Sequence, residues 1–205
     1  MGKPKKPRKK EHYYRAAKAK GYRARSAYKL KQIAKKHKLL SDVDCVLDLC
    51  SSPGGWTQVL RELDSTIEIV AVDLNPMQPI ERVTFIQGDI MSPETVDKIR
   101  KMTRGSVDLV VSDCAPKVTG NWELDVARQL SLAEAALRIG LDLLRSGGRV
   151  LTKVFQGSGF QEFLQSARSE FESVRLLKPD ASRKTSAEIY LLATGPLKKS
   201  NGNEG

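Results

Sequence analysis

The sequence predicts an open α/β domain built on a doubly wound, mostly parallel, seven-stranded sheet of the Rossmann-like kind. Three observations lead there. Short β-branched apolar runs such as Val107-Asp-Leu-Val-Val111 alternate with longer helix-compatible stretches, and near-continuously apolar strands are those covered on both faces. The chain has 205 residues, 40% of them hydrophobic, enough for one core and one domain. Asp48, Asp73 and Asp113 fall at or beside the carboxyl ends of successive predicted strands, where such sheets hold their ligands.

The elements follow in order. Met1–Lys10 is lysine-rich with Pro4 and Pro7, and low-complexity composition of this kind predicts mobility. From Ser26 the pattern turns helical: Ala27, Leu30, Ile33 and Ala34 share a face, Ser26 is placed to cap, and Lys29 lies at the margin of that face. Strands are expected at Cys45–Leu49, Glu68–Asp73, Val83–Gln87, Val107–Asp113, Arg149–Phe155, Ser173–Leu177 (weak) and Glu188–Thr194. Helices are expected at Gly55–Leu63, Pro93–Met102, Glu123–Leu144 and Gly159–Phe171, with Ser92-Pro93 as a start and Gly147-Gly148 as a stop. The expected division is a basic extension over 1–21, a domain over 22–195 and a flexible tail over 196–205.

Charge is unevenly spread. Residues 1–38 hold 16 Lys/Arg against Glu11 alone, or +15; the remainder holds 19 against 23, or −4, within an overall +11. Tyr13, Tyr14, Tyr22 and Tyr28 are interleaved with the basic leader. Cationic side chains beside flat aromatic faces point to a nucleic acid, RNA above all; a solvated tail or a targeting signal is the alternative for the first ten residues. No apolar run approaches the ~20 residues that span a bilayer, and the leader lacks the apolar stretch of a secretory signal. A soluble, cytoplasmic protein without membrane contact is expected. Cys45, Cys50 and Cys114 fit neither a zinc nor a disulfide framework by spacing; no metal and three reduced thiols are the expectation, with Cys45 packed in a strand.

The segment Asp48-Leu-Cys-Ser-Ser-Pro-Gly-Gly-Trp56 runs from a strand end through Gly54-Gly55 into a helix. Glycine permits close backbone approach and a helix start offers unpaired N–H groups. The loop has neither the G-x-G-x-x-G spacing nor the Gly-Lys-Ser/Thr of phosphate cradles, so a nucleoside without a phosphate chain, S-adenosylmethionine (SAM) foremost, is the expected ligand; a turn that binds nothing is the other reading. Asp73, about twenty residues on, suits ribose hydroxyls. Asp89 lies just past the third strand, and Asp48 and Asp113 complete a rim of four acids. Lys153 interrupts the apolar strand Leu151-Thr-Lys-Val-Phe155 and must pair or reach the rim. Gly157-Ser-Gly159 follows as a turn suited to close backbone approach.

Arg25-Ser-Ala-Tyr-Lys-Leu30, Ser51-Ser-Pro-Gly-Gly-Trp56, Ser112-Asp-Cys-Ala-Pro116, Lys153-Val-Phe-Gln-Gly157 and Ser182-Arg-Lys-Thr-Ser-Ala-Glu188 together resemble the motifs of the FtsJ-like (RrmJ-like) ribosomal RNA 2′-O-methyltransferases, over about Tyr22 to Gly195. The resemblance implies a SAM-dependent enzyme, with a catalytic tetrad on Lys29, Asp113, Lys153 and Glu188. It implies cofactor contacts at Gly54, Trp56, Asp73, Asp89 and Asp113. It also implies a uridine ribose in large-subunit ribosomal RNA as substrate, presented in an assembled subunit, and a monomeric enzyme. One departure is Cys50, where many methyltransferases have glycine. Lys153 is then the expected general base, lowered in pKa by burial and by Lys29, or else an orienting group. Action on transfer RNA, or non-catalytic RNA binding during ribosome assembly, are the alternatives. No Asn/Asp-Pro-Pro-Tyr/Phe motif of base methylation follows the fourth strand.

Overall fold

The computed structural model describes residues 15–183 and 185–197. Tyr13, Tyr14, Lys184, most of the basic extension and nearly all of the C-terminal tail lie outside them. The sheet has seven strands: β1 (Cys45–Leu49), β2 (Glu68–Asp73), β3 (Val83–Gln87), β4 (Val107–Ser112), β5 (Leu144–Phe155), β6 (Phe171–Leu177) and β7 (Glu188–Pro196). Their spatial order is β3-β2-β1-β4-β5-β7-β6. The first five are parallel, and β7 runs antiparallel between β5 and β6.

Period-two alternation sorts the strand side chains between two cores. On one face Leu30 and Ile33 of α1 (Ala27–His37) and Trp56, Val59 and Leu60 of α2 (Gly55–Leu63) meet Val46, Leu109, Val111, Leu151 and Tyr190. On the other face Ile99 of α3 (Pro93–Met102), Val126 and Leu130 of α4 (Trp122–Leu143) and Phe163 of α5 (Phe160–Glu170) pack on Leu47, Val110, Val150 and Val154. This parity decides the site: Asp113, Lys153, Glu188 and Tyr190 continue the α1 side of β4, β5 and β7, so α1 lies over all four.

Three local expectations need correction. Ser26 makes no side-chain cap; its backbone is already helical, at φ −62°, and its carbonyl accepts from Trp56 Nε1 at 3.0 Å. The Ser26 carbonyl already accepts from Lys29 N and Leu30 N, so Ser26 joins the first helical turn and the indole adds a third contact to it. The fifth strand begins at Leu144, not Arg149: Val107 pairs with Leu144 and Leu109 with Arg149, so residues 145–148 loop out of the ladder, with Gly147 at φ +72°. The sixth strand starts at Phe171, where extended backbone buries a phenyl ring assigned above to the preceding helix.

Candidate active site

The loop after β1 turns at once. Cys50 stands at φ +58°, a left-handed conformation that glycine adopts without steric cost. Ser51 N donates to Val72 O at 3.1 Å, which ties the loop to β2, and Gly54 N donates to Ser51 O at 2.7 Å. Gly54 has φ +108°, and a Cβ there would lie 2.9 Å from Arg23 Nη1 and 3.0 Å from Met77 Sδ. At Gly55 a Cβ would lie 2.8 Å from that of Ala24. The two glycines thus serve tight packing inside the protein as well as any approach by a ligand.

Cys50 is bonded to Cys114 in a disulfide, which corrects the expectation of three free thiols. The pair is separated by 64 positions in sequence, and no local spacing rule sees it. It forms because parallel pairing of β1 and β4, with Leu49 opposite Ser112, delivers both chain ends to one point on the rim. Cys45 is the free cysteine among the described residues, half-buried in β1, with its thiol raised to about 11 by burial and nearby carboxylates.

The four rim acids are not equivalent. Asp48 is only 1% exposed and accepts from Thr57 Oγ1 at 2.6 Å. Burial pushes its carboxyl up to about 7 against the pull of the Thr57 bond, with Asp113 and Asp73 adding to the rise. It faces the protein, not a ribose. Asp73 Oδ1 accepts from Asn75 N (2.7 Å) and Asn75 Nδ2 (3.2 Å), and Oδ2 from Ser52 N (2.9 Å). A carboxylate has about four acceptor positions, so one remains, on Oδ2. Asp89 is exposed and holds Met91 N at 2.9 Å. Ser51 Oγ and Ser112 Oγ, both buried at the carboxyl ends of β1 and β4, have no hydrogen-bond partner among the described residues. Buried polar atoms are normally paired, so two such hydroxyls on one rim fit a polar ligand. Trp56 contributes to this rim by its backbone, since its indole is buried beneath Tyr190, ring centroids 5.7 Å apart.

Lys29, Asp113, Lys153 and Glu188 do come together. Lys29 Nζ lies 2.5 Å from Glu188 Oε1. Lys153 Nζ donates to Asp113 O at 2.8 Å and lies 3.2 Å from Asp113 Oδ1. Lys153 is 6% exposed: it pairs and reaches the rim at once. The two ion pairs share Tyr190, whose hydroxyl donates to Asp113 Oδ1 at 2.8 Å and whose ring centroid is 5.8 Å from Lys29 Nζ. Burial, then Asp113 and Glu188, hold the Tyr190 phenol well above its usual range, so it stays a donor. Such an arrangement fixes two lysine amino groups and two carboxyl groups in a small, largely dry volume beside the glycine loop.

Comparison with known proteins decides the family. The model of the FtsJ-like methyltransferases matches residues 22–196. The chain belongs to the FtsJ-like methyltransferase family. Ribosomal RNA large subunit methyltransferase E of Methanothrix thermoacetophila is 51% identical over 183 residues, covering 89% of this chain and 71% of that one. The enzyme of the same name from Archaeoglobus fulgidus is 46% identical, covering 89% and 94%. A crystal structure from Plasmodium falciparum that carries the name ribosomal RNA methyltransferase superposes with a TM-score of 0.77 at 27% identity, over 87% of this chain and all of that one.

Within this FtsJ-like site, the supporting roles of four residues escaped sequence reasoning. Tyr190 sits two residues after Glu188 and so shares its face of β7, a signal that strand parity could have supplied. Gln129 interrupts the apolar stripe of α4; it is fully buried and its amide donates to Lys153 O (2.8 Å) and Cys114 O (3.2 Å). Ser182 Oγ donates to Glu188 Oε1 at 3.0 Å. Arg23 donates to Pro53 O, Gln78 O and Pro79 O at 3.2, 2.6 and 3.1 Å, clamping the glycine loop to the segment after β2. Nothing local distinguishes it from its basic neighbours. The Gly157 turn does bring backbone close, but to Val126 of α4, 2.9 Å from a Cβ placed there.

Proposed function

We propose that the protein transfers a methyl group from SAM to a ribose 2′-hydroxyl of RNA, a uridine in large-subunit ribosomal RNA. The observation that carries this reading is the pair of lysine–carboxylate contacts, Lys29–Glu188 and Lys153–Asp113, gathered on one rim with the glycine loop. The substrate class rests on the names of the relatives and on the basic leader, whose phosphate contacts would weaken with salt.

The residues present fit an adenosyl group. The free acceptor position of Asp73 suits a ribose hydroxyl, Asp89 suits the adenine amino group, and Gly54 and the backbone of Trp56 line the approach, with Ser51 and Ser112 as spare hydroxyls. When bound, SAM supplies a methyl group already activated by its sulfonium. The protein's task is then alignment and proton removal. Lys153 Nζ spends one N–H on Asp113 O and stands beside Asp113 Oδ1; its remaining side meets the acceptor hydroxyl, orients its oxygen and takes its proton. Glu188 and Ser182 hold Lys29 beside it, and Tyr190 keeps Asp113 from turning away.

Labelled SAM supplied in parallel to large subunits, naked ribosomal RNA and transfer RNA tests the reading. The expected product is an alkali-resistant linkage in ribosomal RNA, because a methylated 2′-oxygen no longer attacks the neighbouring phosphate. Label in transfer RNA alone would overturn the ribosomal assignment, and transfer to no RNA would overturn the reaction.

A further inference from the structure

The loop joining β4 to α4, residues 115–121, is a part of the rim that the reaction above leaves unused. It is firmly built. Asp125 Oδ1 accepts from Thr119 N at 2.9 Å and Thr119 Oγ1 at 2.8 Å, and Asn121 Oδ1 caps α4 by accepting from Leu124 N at 3.2 Å. Yet this anchored segment presents Val118 in the loop, 81% exposed, and Trp122 at the first position of α4, 51% exposed. Trp122 lies on Phe155 with ring centroids 5.8 Å apart and an angle of 18° between planes. Phe155 is the register partner of Glu188 and stands two residues beyond Lys153, about 7 Å along the strand. The indole is therefore one ring contact away from the strand pair that carries Lys153 and Glu188.

We propose that Trp122, backed by Phe155, is a stacking platform for a nucleobase beside the methylated ribose; this rests on the RNA 2′-hydroxyl reading above. Three features favour a base as the occupant. A flat, half-exposed ring supported from behind matches the π-face that every base presents. The neighbouring Glu123 and Asp125 in the first turn of α4 repel a phosphate but not a neutral base. An aromatic wall beside a ribose site also restrains the nucleotide without reading its hydrogen-bonding edge, which leaves target choice to the RNA around it.

The chain holds two tryptophans, and Trp56 is buried with its N–H bonded to Ser26 O, so Trp122 is the solvent-facing fluorophore. The full chain is titrated with a short oligouridylate and with an abasic phosphodiester of equal length, both followed independently by anisotropy. The expected result is quenching by the oligouridylate alone. Trp122→Ala should raise KM for RNA roughly 5- to 150-fold, the range set by stacking on one aromatic ring, with SAM affinity unchanged and Trp122→Phe restoring most of the loss. Equal responses to both oligomers, or an alanine variant with wild-type RNA affinity and kcat/KM, would overturn the proposal. Because quenching reads binding rather than transfer, base-dependent quenching in a protein that methylates no RNA supports the platform and removes only the reaction.

Discussion

The two ends of the central strands make opposite use of the same residue types. At the amino end Asp108 of β4 is buried, accepts from Asp44 N (2.7 Å) and Cys45 N (2.8 Å), and pairs with Arg145. Arg149 nearby donates to the carbonyls of Lys38, Leu39 and Ser41. Asp108 and Arg149 close backbone ends there and tie the segment after α1 to the sheet. At the carboxyl end Ser51 and Ser112 keep unmatched hydroxyls, Asp73 keeps an acceptor position, and Asp48 is held with one hydroxyl as its partner. The unmatched hydroxyls of the carboxyl rim are the ones a ligand can meet.

Substitutions separate the two ends. The largest effect belongs to Lys153→Ala, expected to lower methyl transfer by about 10²–10⁴-fold while calorimetry finds SAM affinity within a few-fold of wild type. Retained turnover would remove Lys153 from the reaction. A pH–rate profile refines its role, since a proton acceptor gives a rate that rises with pH and an orienting ammonium does not.

Opening the Cys50–Cys114 bond by Cys114→Ala should cost about 4 kcal/mol if the 64-position separation acts through chain entropy, read as a lower midpoint in denaturant. Cys50→Gly should cost less than Cys50→Ala in the same assay, because position 50 stands at φ +58° and glycine is at ease there. Equal losses for the two variants would show that the conformation at position 50 contributes nothing measurable.

Asp48 gives the carboxyl end a pH signature. Its folded pKa, about 7, lies above the ordinary carboxyl value, so the folded state binds the proton more tightly. Below about pH 4 the group is protonated in both states and costs nothing. Between about 4 and 7 stability falls as pH rises, by up to roughly 4 kcal/mol, and the cost is complete above pH 7. Asp48→Asn should flatten that slope and stabilise the SAM-free protein at pH 8; an unchanged slope would place the proton elsewhere.

The smallest effect marks the amino end. Asp108→Ala strands two backbone donors and should cost about 2 kcal/mol of stability, with kcat unchanged at temperatures where the variant is folded. A loss of kcat under those conditions would mean that the ends are coupled.

The alternation of apolar runs and helical stretches gives the sheet because a strand buried on both faces has few other sequences open to it. Lys153 and the glycine loop stand out for a related reason: a lysine in an apolar strand and Gly54-Gly55 before a helix each conflict with their local pattern. Lys29, Asp113 and Glu188 are grouped with Lys153 only through the resemblance to the FtsJ-like motifs. Ser26 shows the opposite case, for a capping residue is a local signal, and here its backbone is already helical and its side chain caps nothing. Which side chains complete the site was decided in three dimensions. Parallel pairing alone brings Cys50 to Cys114, Tyr190 reaches Asp113 across β5, and Asp48 turns inward while Asp73 turns to the loop. Sequence patterns record the burial and period of each element, which are local energies. The disulfide, the Tyr190 bridge and the unmatched hydroxyls depend on contacts between elements, and those exist only once the strands are in register.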